Sequence, residues 1–588
     1  MCGIAGLMTS DGSPPSPETI RAMGQALAHR GPDGIGEYRS GDTAMIHRRL
    51  SIIDLVTGGQ PLYESGGAAL IANGEIYNYV ELRAALDGVS FSTASDCEVP
   101  LHLYRRHGLD FTRELRGMYA IALHDAAAGR LVLARDPFGI KPLYYAELPE
   151  GFAFASEPQA LIAGGAPVAL SSQARNELLQ IQFTTGRETI FAGIYRVLPG
   201  ETLIISRGRI VDRSRRIALP NTARLDCGEA EALDAFDGIF ADSVRIHQRS
   251  DVPYGMFLSS GIDSTAVLAM MARLNERPVH AFTVGFSRTG AADERAQASA
   301  IAGSLGAMHV EIEFREGDFW HLLPEIAAAM DDPAADYAVL PTYKLAAAAR
   351  EAGLKVVLSG EGGDELFAGY GRYRSVMRPW WAGGKRPRRR GTLNGLGLLR
   401  EDLADWRDGV GATEIREDRP DRSRLQVAQA VDCADWLPND LLTKLDRCLM
   451  AHGVEGRTPF LDPVVADFAF RLPDTLKVKN GSGKYLLRRW LAGQVPVAQP
   501  FAKKQGFTVP VGEWIARRAA TLGPLVAAQP CIEQLCKPAS VIGIFARARE
   551  RRLGFAAWTL LFYALWHRHH IERKPRAGDV FATLGEHE

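Results

Sequence analysis

No stretch of this sequence is apolar for long enough to cross a bilayer, and it does not open on the basic-then-apolar run of a secretory signal. Cysteine is scarce. The seven residues, at positions 2, 97, 227, 433, 448, 531 and 536, are too scattered for a disulfide framework. Cys531 and Cys536 lack a second Cys/His pair nearby, which argues against zinc. An excess of either charge is missing too: Lys+Arg 68 against Asp+Glu 69 gives a net charge of −1. No general basic surface for nucleic acid is therefore expected. These absences point to a cytoplasmic protein with neither membrane nor nucleic acid as partner. The basic run Lys385-Arg386-Pro387-Arg388-Arg389-Arg390 is a local exception, read as a solvated loop. Hydrophobic content of 46% and charged content of 23% are those of a globular chain. At 588 residues it exceeds what one core can serve, so about two to four domains are expected.

The most informative stretch is Val252 to Leu268. An apolar run (Met256, Phe257, Leu258) breaks into Ser259-Ser260-Gly261 and continues as Ile262-Asp263-Ser264-Thr265 and an apolar helix pattern. A strand, a small-residue turn and a helix N-terminus favour an anion, with backbone N–H groups directed outward. Asp263 cannot bind phosphate itself and implies a divalent metal between carboxylate and phosphates. No Gly-Lys-Ser/Thr follows, so this is not a Walker A loop. Further on, Lys355–Leu358 reads as a buried strand running into Ser359-Gly360-Glu361-Gly362-Gly363-Asp364, and Val279–Phe286 as a parallel strand between the two. Alternating strands and helices predict an open α/β sheet with ligands at the carboxyl ends of its strands. Asp263 and Asp364 both fall at such ends and make a plausible Mg2+ pair.

The other end of the chain reads differently. Once Met1 is removed, Cys2 carries a nucleophilic sulfur and a free α-amine able to act as its base. His29–Gly34 forms a turn cluster, Arg49-Leu50-Ser51-Ile52-Ile53 is predicted to start a strand, and Asn73-Gly74-Glu75 lies at the end of another. Arg49 can hold an α-carboxylate, while Glu75 and Asp96 can hold an α-ammonium. Asn73 and the Gly74 N–H can form an oxyanion hole. Such a site accepts a free amino acid with a side-chain amide, glutamine.

These motifs, extended by Arg135–Leu143, resemble the class II glutamine amidotransferase family, which implies an N-terminal αββα Ntn-hydrolase sandwich. The Ser259–Ser264 loop resembles the pyrophosphate loop (PP-loop) of adenylating enzymes, with Ser260 where Gly is usual. From Cys2 to about Trp566 the chain resembles glutamine-hydrolysing asparagine synthetases, notably in Asp331–Asp336, Asp440–Arg447, Glu455–Asp462 and Gly483–Arg488.

The resemblance implies a PP-loop synthetase domain of the adenine-nucleotide alpha-hydrolase type. It makes Lys484 and Glu361 catalytic, and adds Leu258, Val284, Ser359 and Gly360 to Ser259, Gly261, Asp263 and Ser264 around ATP. The predicted boundaries are 1–210 for the glutaminase and 228–588 for the synthetase, with residues 206–227 as the junction. The activity implied is Mg2+- and ATP-dependent amidation of aspartate through an acyl-adenylate, with AMP and pyrophosphate released and ammonia channelled between sites. A homodimer is left open.

One alternative keeps this chemistry but changes the carboxylate acceptor. It is favoured by Ser260, by Gly456 in place of a bulkier residue, and by a variable insertion at 375–425. Three other readings fare worse. A β-lactam synthetase typically lacks the nucleophilic Cys2, and a silent scaffold would have lost Cys2, Asp263 or Lys484. An amino-sugar amidotransferase would have no pyrophosphate loop.

Overall fold

In the computed structural model, residues 2–221, 223–287, 289–291, 293–378, 388–502 and 508–585 are described below. Lys385, Arg386 and Pro387 of the basic run therefore lie outside the described residues.

The first part of the chain folds as two stacked six-stranded antiparallel sheets. One runs in the order Tyr195–Arg196, Tyr144–Leu148, Gly151–Ala155, Gly3–Thr9, Thr43–Arg49, Gly34–Ser40. The other runs Arg209–Arg215, Glu201–Ser206, Arg130–Arg135, Gly117–Asp125, Ala68–Ile76, Leu62–Tyr63. Ile4, Met8 and Phe154 of the first sheet meet Ile71, Leu131 and Leu133 of the second in one dry layer. Burying both faces requires near-continuous apolar strands, and Gly3–Thr9 is buried at every position. Helix Pro17–Ala26 covers the outer face of the first sheet, and Val99–His107 the outer face of the second. The expected αββα order results.

Two expectations are corrected here. Arg49 ends a strand rather than starting one, and 50–53 is irregular. The polar stretch after Ile205 is not all linker, since Arg209–Arg215 pairs with Glu201–Ser206 as an exposed edge strand. Its polar side chains suit an edge, where one face meets water.

The second part is built on a parallel sheet ordered Met308–Glu313, His280–Gly285, Tyr254–Phe257, Val356–Leu358, Glu455–Arg457. Helices Glu229–His247 and Ile262–Leu274 pack on one side, where Phe236 and Phe240 stack at 5.1 Å. Helices Glu316–Ala329, Val339–Glu351 and Arg551–His570 pack on the other. The stretch after Trp566, beyond the reach of the family resemblance, is partly core: His570, Val580 and Leu584 are all buried. No helix among the described residues is long and apolar enough to cross a membrane.

Candidate active sites

Cys2 sits just before the central strand Gly3–Thr9 and is buried. Its backbone N–H donates to Asn73 Oδ1 at 3.0 Å, and its Sγ lies 3.9 Å from the Leu50 carbonyl. Asn73 Nδ2 is buried without a protein acceptor, as a donor kept for a ligand oxygen would be. At Gly74 a Cβ would fall 2.2 Å from the Met118 carbonyl oxygen, so only glycine allows this strand to approach its neighbour. Burial raises the Cys2 thiol pKa, and Glu75 and Glu455 add to the rise. The thiol therefore needs a base close by.

Of the other residues expected to bind glutamine, Glu75 and Asp96 cluster with one another beside the thiol. The Arg49 guanidinium is steadied by the carbonyls of Ile53 and Asp54. Asp96 accepts the Ile76 N–H at 2.7 Å, and burial lifts its pKa to about 6. Burial pushes the Glu75 carboxyl well above the usual range, and Glu455 and Asp96 push it further while Arg457 opposes them. Glu75, Asp96 and Glu455 thus form a buried cluster of carboxylates that a further cation would stabilise.

The nucleotide-loop residues occupy the carboxyl ends of three adjacent strands. Leu258, Ser259, Gly261, Asp263 and Ser264 follow Tyr254–Phe257; Val284 lies on His280–Gly285; Ser359 and Gly360 follow Val356–Leu358. The glycines let the two turns touch: a Cβ on Gly360 would lie 2.7 Å from the Ser264 nitrogen, and one on Gly363 2.6 Å from the Asp263 carboxylate. The turn is not the open set of N–H donors expected from its sequence. Ser259 N–H donates to Ser264 Oγ at 3.1 Å, Gly261 N–H to Ser259 Oγ at 3.1 Å, and Ser260 N–H to Glu294 at 3.3 Å. Serine hydroxyls compete for backbone donors, which is the physical reason. Ser359 Oγ is buried and has no protein hydrogen-bond partner.

Asp263 and Asp364 converge as expected. Lys484 Nζ bridges them, in contact with Asp263 and 2.6 Å from Asp364 Oδ1. Burial works against the ammonium, but the two carboxylates outweigh it and its pKa lies above the ordinary value. Two carboxylates meeting at one cationic centre fit a Mg2+ ion as well as an ammonium. Gly369 makes room for the trio, since a Cβ there would lie 1.7 Å from Asp364 Oδ1 and 2.2 Å from Lys484 Cε. Glu361 follows Gly360 directly, and its carboxyl is raised by burial, with Lys444 opposing and Asp336 adding. Lys444 Nζ is 2.9 Å from Asp336.

Sequence reasoning left several polar residues without a role. Arg30 donates from Nε to the Cys2 carbonyl at 3.1 Å and grips Asp446 at 2.8 and 3.0 Å. Asp446 lies on helix Thr443–Met450 of the second part, so the backbone at the thiol is tied directly to the other half of the chain. Arg457, held by Glu455 at 2.6 Å, reaches back from the last strand of the parallel sheet to Glu75 at 3.3 Å. These residues fall inside segments that carry the family resemblance, but nothing in the local pattern reveals partners so distant in sequence. Gly456 packs under Leu445 and Leu449, with a virtual Cβ 3.1 to 3.2 Å from their methyls. A bulkier residue there would have to push them aside.

The asparagine synthase family profile matches residues 235–568, and the glutamine amidotransferase domain profile matches residues 1–215. Asparagine synthetase [glutamine-hydrolyzing] 1 of Bacillus subtilis is 33% identical over 98% of this chain and 98% of its own length. A putative asparagine synthetase [glutamine-hydrolyzing] of Mycobacterium tuberculosis is 34% identical over 97% and 98%. Asparagine synthetase B of Escherichia coli is 31% identical over 87% and 82%. The chain therefore belongs to the glutamine-hydrolysing asparagine synthetase family and is a glutamine-dependent ligase.

Proposed function

We propose that the chain amidates aspartate to asparagine in the cytoplasm, with glutamine as nitrogen donor and ATP as the driving nucleotide. Residues 1–210 act as the glutaminase and 228–588 as the synthetase. One observation supports the pairing above others: the buried network in which Arg30 holds both the Cys2 carbonyl and Asp446.

In the first half-reaction, removal of Met1 frees the Cys2 amine, which takes the thiol proton directly or through water. The sulfur attacks the side-chain amide of glutamine, giving a glutamyl thioester and ammonia, and water then cleaves the thioester to glutamate and free Cys2. Arg49 receives the α-carboxylate, while Glu75 and Asp96 receive the α-ammonium. Asn73 Nδ2 and the Gly74 N–H stabilise the tetrahedral oxyanion. Ammonia then crosses inside the protein, because bulk water would protonate it and remove its nucleophilicity.

In the second half-reaction, Leu258, Val284, Ser359 and Gly360 contact adenosine, while Ser259, Gly261 and Ser264 face the phosphates. Asp263 and Asp364 would hold Mg2+, which neutralises phosphate charge when bound. Lys484, drawn from between the two aspartates, follows the charge that develops as aspartate displaces pyrophosphate. Glu361, with its raised pKa, accepts a proton as ammonia displaces AMP.

The test is Cys2→Ala. Glutamine-dependent amide formation is expected to vanish while activity with ammonium salts persists. If both are lost equally in folded protein, the two-site reading is wrong.

A further inference from the structure

The proposed glutamine site draws on the other half of the chain. Arg457 is fully buried on the last strand of the parallel sheet. Its Nη2 lies 3.3 Å from Glu75 Oε2, its Nε donates to Glu455 at 2.6 Å, and its Nη1 donates to the carbonyls of His247 and Arg249 at 2.9 and 2.6 Å. The guanidinium is thus hydrogen-bonded by synthetase groups, while from the N-terminal half it meets Glu75 and, 5.6 Å from its carbon, the Tyr77 ring. The other end of the residue meets the proposed nucleotide turn: the Arg457 carbonyl accepts the Ser359 N–H at 2.9 Å. One residue therefore touches both loops to which ligands are assigned.

We propose that Arg457 is a positioning residue for glutamine, supplied by the synthetase sheet, which holds the Glu75 carboxylate in the orientation that receives the α-ammonium. This rests on the glutaminase reading above. Glu75 is buried beside Glu455 and Asp96, and both disfavour its charge. Arg457 is the cation that opposes them, 3.3 Å from Glu75, so without it the carboxylate loses the contact that fixes its orientation and its hold on an ammonium weakens. Glutamine then adds a second cation to a cluster of three carboxylates rather than displacing the first.

The test compares glutamine with 4-carbamoylbutanoate, which has the same amide and carboxylate but no α-ammonium. Arg457→Gln is expected to lower kcat/KM for glutamine by about tenfold or more, mostly through KM, and to leave kcat/KM for 4-carbamoylbutanoate unchanged. Arg457→Lys, which keeps the charge, should restore part of the loss. AMP formation with ammonium salts confirms that each variant is folded. Equal losses for both substrates would show a merely structural role and overturn the proposal, while leaving the glutaminase reading intact.

Removing a buried guanidinium can unfold a protein, so Glu75→Gln offers a second route. With no carboxylate to position, Glu75→Gln should lower glutamine use as Arg457→Gln does and spare 4-carbamoylbutanoate. Unchanged use of glutamine by Glu75→Gln would also overturn the proposal. Should Cys2→Ala still hydrolyse glutamine, the underlying reading fails instead.

Discussion

At the scale of a single side chain, the proposed glutamine site makes Asp96 the group expected to set the pH dependence of glutamine binding. Burial raises its pKa to about 6, against the pull of the Ile76 N–H. Above that value the carboxylate is ionised and can hold the α-ammonium; below it the group is neutral and the attraction is lost. The KM for glutamine is expected to rise as pH falls through about 6, as steady-state glutaminase assays would show. In Asp96→Asn it should be high and flat across the same range. A rise of equal size in Asp96→Asn would assign the titration to another group.

The proposed glutamine-site residues Cys2, Asn73, Glu75 and Asp96 could be nominated from the sequence because each stands in a short motif whose residue types suit that chemistry. Arg457 and Glu455 were not. Their significance depends on a contact between distant segments, and no periodicity or spacing encodes it.

The nucleotide end shows what the elements themselves decide. Strand, turn and helix followed from the apolar run and the small residues after it, and parallel pairing placed both turns side by side at the carboxyl end of the sheet. What could not be read was the internal bonding of the turn, where Ser264 and Ser259 occupy donors that a glycine-rich reading leaves open. The tightest constraint is steric. Gly369→Ala would drive a methyl into Asp364 and Lys484, so AMP formation should fall by about a hundredfold or more with either nitrogen source. Glutaminase turnover, served by a different sheet, should change little. Loss of both activities together in a folded variant would mean that the two ends are not separable in this way.

Across the whole molecule, the halves are joined by buried charge rather than by an oily seam alone. Arg30 binds Glu157 at 2.6 Å and Asp446 at 2.8 and 3.0 Å, while Arg447 binds Asp331 at 2.8 Å. Such pairs add little net stability as pairs, but removing one partner strands the others. Arg30→Ala is expected to destabilise the protein by about 3–5 kcal/mol, seen as a lower denaturant midpoint. A shift under about 1 kcal/mol would place the network among the weakly contributing surface-type pairs. The two-part architecture could be inferred from the change in hydrophobic pattern along the chain. The joint between the parts could not, because it consists of contacts between residues of opposite halves.

The central claim is that one chain spends a nucleotide between its α and β phosphorus atoms to make an amide from nitrogen freed at Cys2. The most direct measurement is product stoichiometry with purified protein, glutamine, Mg-ATP and aspartate. The account predicts AMP, pyrophosphate, glutamate and asparagine in equal amounts, with AMP formation dependent on aspartate. Release of ADP and phosphate in step with asparagine would contradict it.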